Sequence, residues 1–159
     1  MKRLWAPWRM EYILSNKTKS CVLCDKVAEN DDKKNHILHR GHTCYVMLNL
    51  YPYNNGHLMV APYQHVPSLE MLEQETLTEM MLLVSKCLVA LRQCMNPHGF
   101  NLGANIGKVA GAGVYDHVHI HIVPRWEGDT NFMPIFAETR VIPELLDDTY
   151  EKLKAHMCG

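Results

Sequence analysis

The chain has 159 residues, 47% of them apolar and 21% charged, with a formal net charge of −1. That length suits one domain with its own core, and the near-zero charge supplies no polybasic surface for nucleic acid or anionic lipid. No apolar run approaches the roughly 18 residues of a membrane span, so neither a membrane nor a nucleic-acid partner is expected. The start, MKRLWAPWRMEYI, is basic but contains Pro7, Arg9 and Glu11, which break any secretory apolar stretch and point to a cytoplasmic location.

In chain order, the first motif is Cys21-Val-Leu-Cys24. In a cytosolic chain this spacing is either half a zinc site or a redox pair. Zinc needs two further ligands, whereas a thioredoxin-like pair needs a βαβ unit that the pattern here does not provide. The charge run ENDDKKN, 29–35, reads as a solvated loop. HILH and CYVMLN then flank Arg40-Gly41-His42-Thr43 as a β-hairpin. NLYPYNNGH is a turn with Pro52 and Asn55-Gly56 as breakers, followed by the strand HLMVAPY.

Residues 76–94 carry the clearest helix signal. Thr76-Leu-Thr-Glu79 matches a capping box at its start. Leu77, Met80, Val84, Leu88, Leu91 and Cys94 recur every three or four residues as one apolar face. Cys87 and Cys94 sit in this pattern as small hydrophobes. FNLGANIG reads as a strand and KVAGAGVYD as a glycine-bearing connection. HVHIHIVP is a strand that Pro124 should end, and a last helix is expected from about Pro143. Hairpins on both sides of one long helix predict an α+β domain with a mainly antiparallel sheet.

Within YDHVHIHIVPRW, strand alternation places His117, His119 and His121 on one face and Val118, Ile120 and Ile122 on the other. The aliphatic face belongs to a core. Three histidines at i, i+2 and i+4 span about 13 Å, too far for one zinc with bonds of about 2.0–2.1 Å, although one or two could join ligands from elsewhere. A central imidazole can instead attack phosphorus when its far nitrogen is held by an acceptor that fixes the tautomer. A flanking imidazole can assist the leaving oxygen. The glycines of GKVAGAG, Gly111 and Gly113 among them, allow backbone amides to approach an anion.

The pattern HVHIHIV over 117–123 resembles the signature of the histidine triad superfamily, and the likeness runs through LNLYPYNNGHLMVAPYQHV and NLGANIG over roughly 20–126. VPRWEGDTNFMP resembles the continuation in the diadenosine tetraphosphate phosphorylase and fragile-histidine-triad branch. LWAPWRMEYI is similar to the start of phosphorylase-like bacterial members. The resemblance implies one domain over 1–159: a core at about 20–126, an N-terminal arm 1–19 and a C-terminal extension 127–159. It also implies a five-stranded sheet with one long helix and a C-terminal helix, dimerising into a continuous sheet.

For function, the resemblance implies a nucleotide substrate, a dinucleoside polyphosphate cut through a nucleotidyl-histidine intermediate. His119 is then the nucleophile, His121 serves the leaving group, and His57 approaches the phosphates. Asn49 lies near the ribose, Asn105 near the phosphates, and Gly111 and Gly113 line the substrate. A structural zinc is implied on Cys21, Cys24, His65 and His117. Relatives carry Gln or Ser where this chain has Gly113, while Asp116 is similar to an acidic residue of phosphorylase-type members, which favours phosphate over water as acceptor. A nucleoside phosphoramidase and a non-catalytic nucleotide-binding module stay open beside this reading.

Overall fold

The structure, a computed structural model, describes residues 20–114, 116–129 and 142–157. Its centre is an antiparallel sheet of five strands: β1 (Ile37–Arg40), β2 (Cys44–Leu48), β3 (Leu58–Pro62), β4 (Gly99–Gly103) and β5 (Ile120–Arg125), in the order β1-β2-β3-β5-β4. Among the described residues, three α-helices accompany it: α1 (Val22–Ala28), the long α2 (Gln74–Met95) and α3 (Leu146–Met157). The α+β architecture and the five-stranded sheet are those expected from the sequence.

The pleat divides the core in two. Leu38, Val46, Leu48, Leu58, Val60, Val118 and Ile122 turn to one face, where Met80, Val84, Cys87 and Leu91 of α2 and Tyr150, Leu153 and Met157 of α3 cover them. Ile37, Tyr45, Met47, Met59 and Ala61 turn to the other and meet Leu23 of α1. His121 pairs with Met59 and Gly103 across the ladder, so its side chain shares this second face. The helix-covered face is lined chiefly by apolar side chains, and the titratable cluster described below lies on the opposite one.

Several local expectations change. α2 begins at Gln74 with Glu73 as its cap, so the Thr76–Glu79 capping box does not form. Glu79 is used elsewhere: its carboxylate accepts the amides of His42, Thr43 and Cys44 and the Thr43 hydroxyl, closing the β1–β2 turn. Cys21 and Cys24 lie at the start of α1, a helix the sequence pattern did not announce. Pro124 lies inside β5, paired with Phe100, and the strand ends one residue later. β5 has partners in β3 only through Ile122, so Pro124's missing N–H falls where one side of the strand has no ladder. α3 begins at Leu146 rather than near Pro143. The arm 1–19 and the TNFMP stretch lie outside the described residues. Among the described residues, no helix is long and apolar enough to cross a membrane.

Candidate active site

The second sheet face gathers four histidines at the ends of β3 and β5. His57 precedes β3 and is fully buried, and His117 and His119 are buried just before β5. The rings of His119 and His121 meet edge to face at 4.6 Å between centroids, and those of His57 and His121 lie 5.0 Å apart. Tyr53 packs over both His57 (4.7 Å) and His121 (5.7 Å).

Hydrogen bonds decide which nitrogen of each ring carries its proton. The backbone amide of Tyr53 donates to His57 Nδ1 at 3.0 Å. An amide cannot accept, so that nitrogen is bare and the neutral ring keeps its proton on Nε2. His57 Nε2 lies 2.9 Å from His121 Nδ1. His121 Nδ1 must then accept, and its own proton sits on Nε2. His119 faces a different anchor: its Nδ1–H donates to the carbonyl of His117 at 2.9 Å, leaving the Nε2 lone pair free. Burial lowers all three pKa values. His57 falls to about 3, helped by His121 and His119, and His121 falls to about 4, helped by His119. His119 is lowered chiefly by burial, against a raising effect of the His117 carbonyl. Near neutral pH the row is uncharged: one imidazole offers a lone pair and its neighbour offers an N–H.

His117 belongs to a separate cluster. Its Nε2–H donates to the carbonyl of Pro62 at 2.9 Å, which leaves Nδ1 bare and facing Cys21 Sγ at 3.3 Å and Cys24 Sγ at 3.4 Å. His65 Nδ1 lies 3.5 Å from Cys24 Sγ, and the four ligand atoms lie within 4.8 Å of one another. A tetrahedral zinc with Zn–S of about 2.3 Å and Zn–N of about 2.0–2.1 Å separates its sulfur and nitrogen ligands by about 3.6 Å. The donor set and spacing therefore fit zinc. The Val118 amide donates to the Val66 carbonyl at 2.8 Å, tying the triad segment to the His65 segment. Asp116 lies 3.7 Å from His65 Nε2, beside this cluster.

The remaining expected residues fall in two loops. Asn49 is half-buried next to His57: its Nδ2 lies 3.4 Å from His57 Nδ1, while its Oδ1 accepts the Tyr51 amide at 2.9 Å. Asn105 Nδ2 donates within its own loop to the Gly111 carbonyl at 3.4 Å. Gly107 and Gly111 have φ of +82° and +83°, a conformation that glycine reaches without penalty. Gly113 is exposed, and a Cβ placed there meets nothing within 4 Å. The sequence reading missed the Tyr53 amide, because backbone donors leave no trace in residue identity. It also used RWEGD only as a marker of likeness, although the Arg125 guanidinium grips the Asp129 carboxylate at 2.6 Å.

Comparison with known proteins agrees with this geometry. The model of the HIT domain family matches residues 30–128. The AP-4-A phosphorylase of Mycobacterium tuberculosis is 40% identical over 157 residues, covering 94% of this chain and 80% of that protein. The bis(5'-adenosyl)-triphosphatase of Dictyostelium discoideum is 34% identical over 54% of this chain and 56% of its own length. A solved zinc-bound histidine triad family protein from Mycobacterium smegmatis superposes with a TM-score of 0.70 at 26% identity, covering 87% of this chain and 94% of that one. The chain with this buried histidine row is a member of the HIT, or histidine triad, family.

Proposed function

We propose that this chain is an enzyme that cleaves dinucleoside polyphosphates of the diadenosine tetraphosphate type, with inorganic phosphate as the favoured acceptor. The observation that carries the reading is the pair of fixed tautomers: a bare Nε2 on His119 beside a protonated Nε2 on His121. His119 Nε2 attacks the phosphorus of one terminal nucleotidyl group. The bond from that phosphorus to the bridging oxygen breaks, and the leaving nucleotide takes the electron pair. The ring, now positively charged, keeps its Nδ1–H on the His117 carbonyl, whose dipole stabilises that charge. His121 Nε2–H hydrogen-bonds the departing oxygen. An oxygen of inorganic phosphate then attacks the same phosphorus, the P–N bond breaks, and neutral His119 returns.

The electrostatics favour an anhydride over a phosphoramidate. His121 titrates near 4, so at neutral pH it offers a hydrogen bond rather than a whole proton. A phosphate leaving group, with a second pKa of about 6, departs readily as an anion, whereas an amine must be protonated to leave. In the same reading Asn49 serves the ribose, and Asn105 with the Gly111–Gly113 loop serves the phosphates. Phosphate as acceptor rests on the likeness to the AP-4-A phosphorylase at 40% identity.

Zinc in this reading is structural. Cys21, Cys24, His65 and His117 would hold it, joining α1 to the triad segment, and a closed four-ligand site supplies stability rather than a reacting water. The chain pairs with a second copy: β4 is an edge strand with exposed Leu102, and α2 exposes Met81, Leu82 and Val89.

Incubation with diadenosine tetraphosphate, with and without phosphate, tests the reading. ADP and ATP formed only with phosphate support it. Turnover of nucleoside phosphoramidates alone contradicts it, and so does nucleotide binding with no turnover of any substrate.

A further inference from the structure

Two segments distant in sequence are fastened together behind the histidine row, with Asp129 as the hub. Its Oδ2 accepts from Arg125 Nε (2.6 Å), from the Trp126 amide (3.1 Å) and from Asn54 Nδ2 (2.8 Å). Its Oδ1 accepts from Arg125 Nη2 (2.7 Å), and Arg125 Nη1 reaches Asn101 Oδ1 in β4 (2.8 Å). A carboxylate held by a bidentate arginine is a geometrically fixed acceptor. Asn54 is buried, and its Nδ2 also donates to the carbonyl of Pro124 in β5 at 3.0 Å. The next residue is held from a third direction: Asn55 Nδ2 donates to Glu144, and Asn55 Oδ1 accepts from Thr149 at the start of α3.

The fastened loop carries the donor on which the tautomer chain depends. Tyr53, adjacent to Asn54, supplies the amide that keeps His57 Nδ1 bare, and the Asn54 carbonyl accepts the His57 amide at 3.3 Å. We propose that Asp129 and Asn54 are positioning residues of this site: by fixing the 53–57 loop, they hold His57 as its Nε2–H tautomer and so hold the donor proton of His121 on Nε2. The inference rests on the role given to His121 above. A neutral imidazole has two tautomers, and the hydrogen bond made by one nitrogen selects between them. If the Tyr53 amide drifts out of range, His57 is free to exchange. His121 then spends part of its time with a bare Nε2, whose lone pair repels a departing oxygen. A brace with only a structural role would lower the melting temperature and leave the tautomers untouched.

The test uses the full chain labelled with 15N at histidine, as wild type and as Asn54→Ala, Asp129→Ala and Asp129→Asn. Ring 15N shifts, kcat, KM for diadenosine tetraphosphate and Tm are measured for each. In the wild type, His57 and His121 should both carry the proton on Nε2. The two alanine variants should show mixed tautomers and a kcat lower by about tenfold to a hundredfold, with KM moving less than about threefold. Asp129→Asn keeps an acceptor oxygen for Asn54 and should restore the wild-type ring signature and most of kcat. Wild-type ring signatures in both alanine variants overturn the proposal, whatever their activity. So does a loss of kcat that follows only the loss of folded protein. If the wild type turns over no dinucleoside polyphosphate, the functional reading fails, yet the ring shifts still decide this proposal.

Discussion

The Nδ1–H of His119 donates to the main-chain carbonyl of His117 at 2.9 Å, while the ring of His117 turns its Nδ1 towards Cys21 and Cys24 at 3.3 and 3.4 Å. One residue thus serves two centres, its backbone orienting the proposed nucleophile and its side chain completing the proposed metal cluster. Pro62 fixes the other ring nitrogen of His117, so the carbonyl that sets the His119 tautomer belongs to a residue pinned on both sides.

His119→Ala should lower kcat/KM for diadenosine tetraphosphate by at least about 10³, because the attack proposed for it has no substitute. Nucleotide affinity, measured by calorimetry, should change less than about fivefold, since in the proposed reading binding is spread over the two loops. Turnover within tenfold of wild type would remove His119 from the mechanism.

Purified protein should contain about one zinc per chain, and Cys24→Ser should lose it. Uptake of zinc by the apoprotein should release protons, because thiolates are the ligands, and its affinity should rise with pH. Chelation should lower the Tm, whereas the phosphorus of the proposed reaction needs no metal. Calorimetry in two buffers of different ionisation enthalpy measures the protons. Absence of stoichiometric zinc after reconstitution would contradict the assignment.

Acid should act on stability before it acts on the ordinary histidine limb of activity. His57 and His121 are held neutral, at about 3 and about 4 against an unfolded value of about 6.5, so the folded chain binds fewer protons than the unfolded one between those values. Their contribution is complete above about pH 6.5 and is lost as pH falls towards 4 and then 3. Burial moves His119 the same way, and a dinucleoside polyphosphate has no terminal phosphate titrating near 6. A plot of kcat/KM against pH should therefore show no limb at 6.5, only one at lower pH. A limb at 6.5 in kcat/KM, with no histidine-linked loss of denaturant stability setting in below pH 6.5, would show that the row is solvated.

Glu79→Ala should destabilise the fold by about 2 kcal/mol. It removes the acceptor of three backbone amides and one hydroxyl at the β1–β2 turn, although those groups recover water in part. Urea denaturation would measure this, with kcat unchanged at low denaturant.

Gly113→Ser should fold normally, with Tm within about 2 °C, because its φ is not positive and a Cβ meets nothing within 4 Å. The added hydroxyl, four residues before His117 in the loop given to the phosphates in the proposed reading, should lower KM for the nucleotide. An unchanged KM would place the phosphates away from this loop.

The elements easiest to read in the sequence were those with local periodicity. The alternation of His117, His119 and His121 with Val118, Ile120 and Ile122 predicts two faces, and Val118 and Ile122 are buried in the helix-covered core. The apolar repeat from Leu77 to Leu91 gives α2. Features set by tertiary contact were not legible. Thr76 and Glu79 have capping-box spacing, but the hairpin's free amides claim the Glu79 carboxylate and the helix starts one turn earlier. Pro124 reads as a strand terminator, yet β5 carries it where β3 has already left its side. Asn54 and Asp129 look like ordinary turn residues until the fold puts them 2.8 Å apart.

The central claim is covalent chemistry at His119, and trapping tests it most directly. Protein mixed with diadenosine tetraphosphate in the absence of phosphate, then quenched in alkaline denaturant and digested, should show one nucleoside monophosphoryl group on the peptide bearing His119. That group should vanish when phosphate is added before the quench. Turnover with no adduct on that peptide, or an adduct on His117 or His121 instead, would contradict the account.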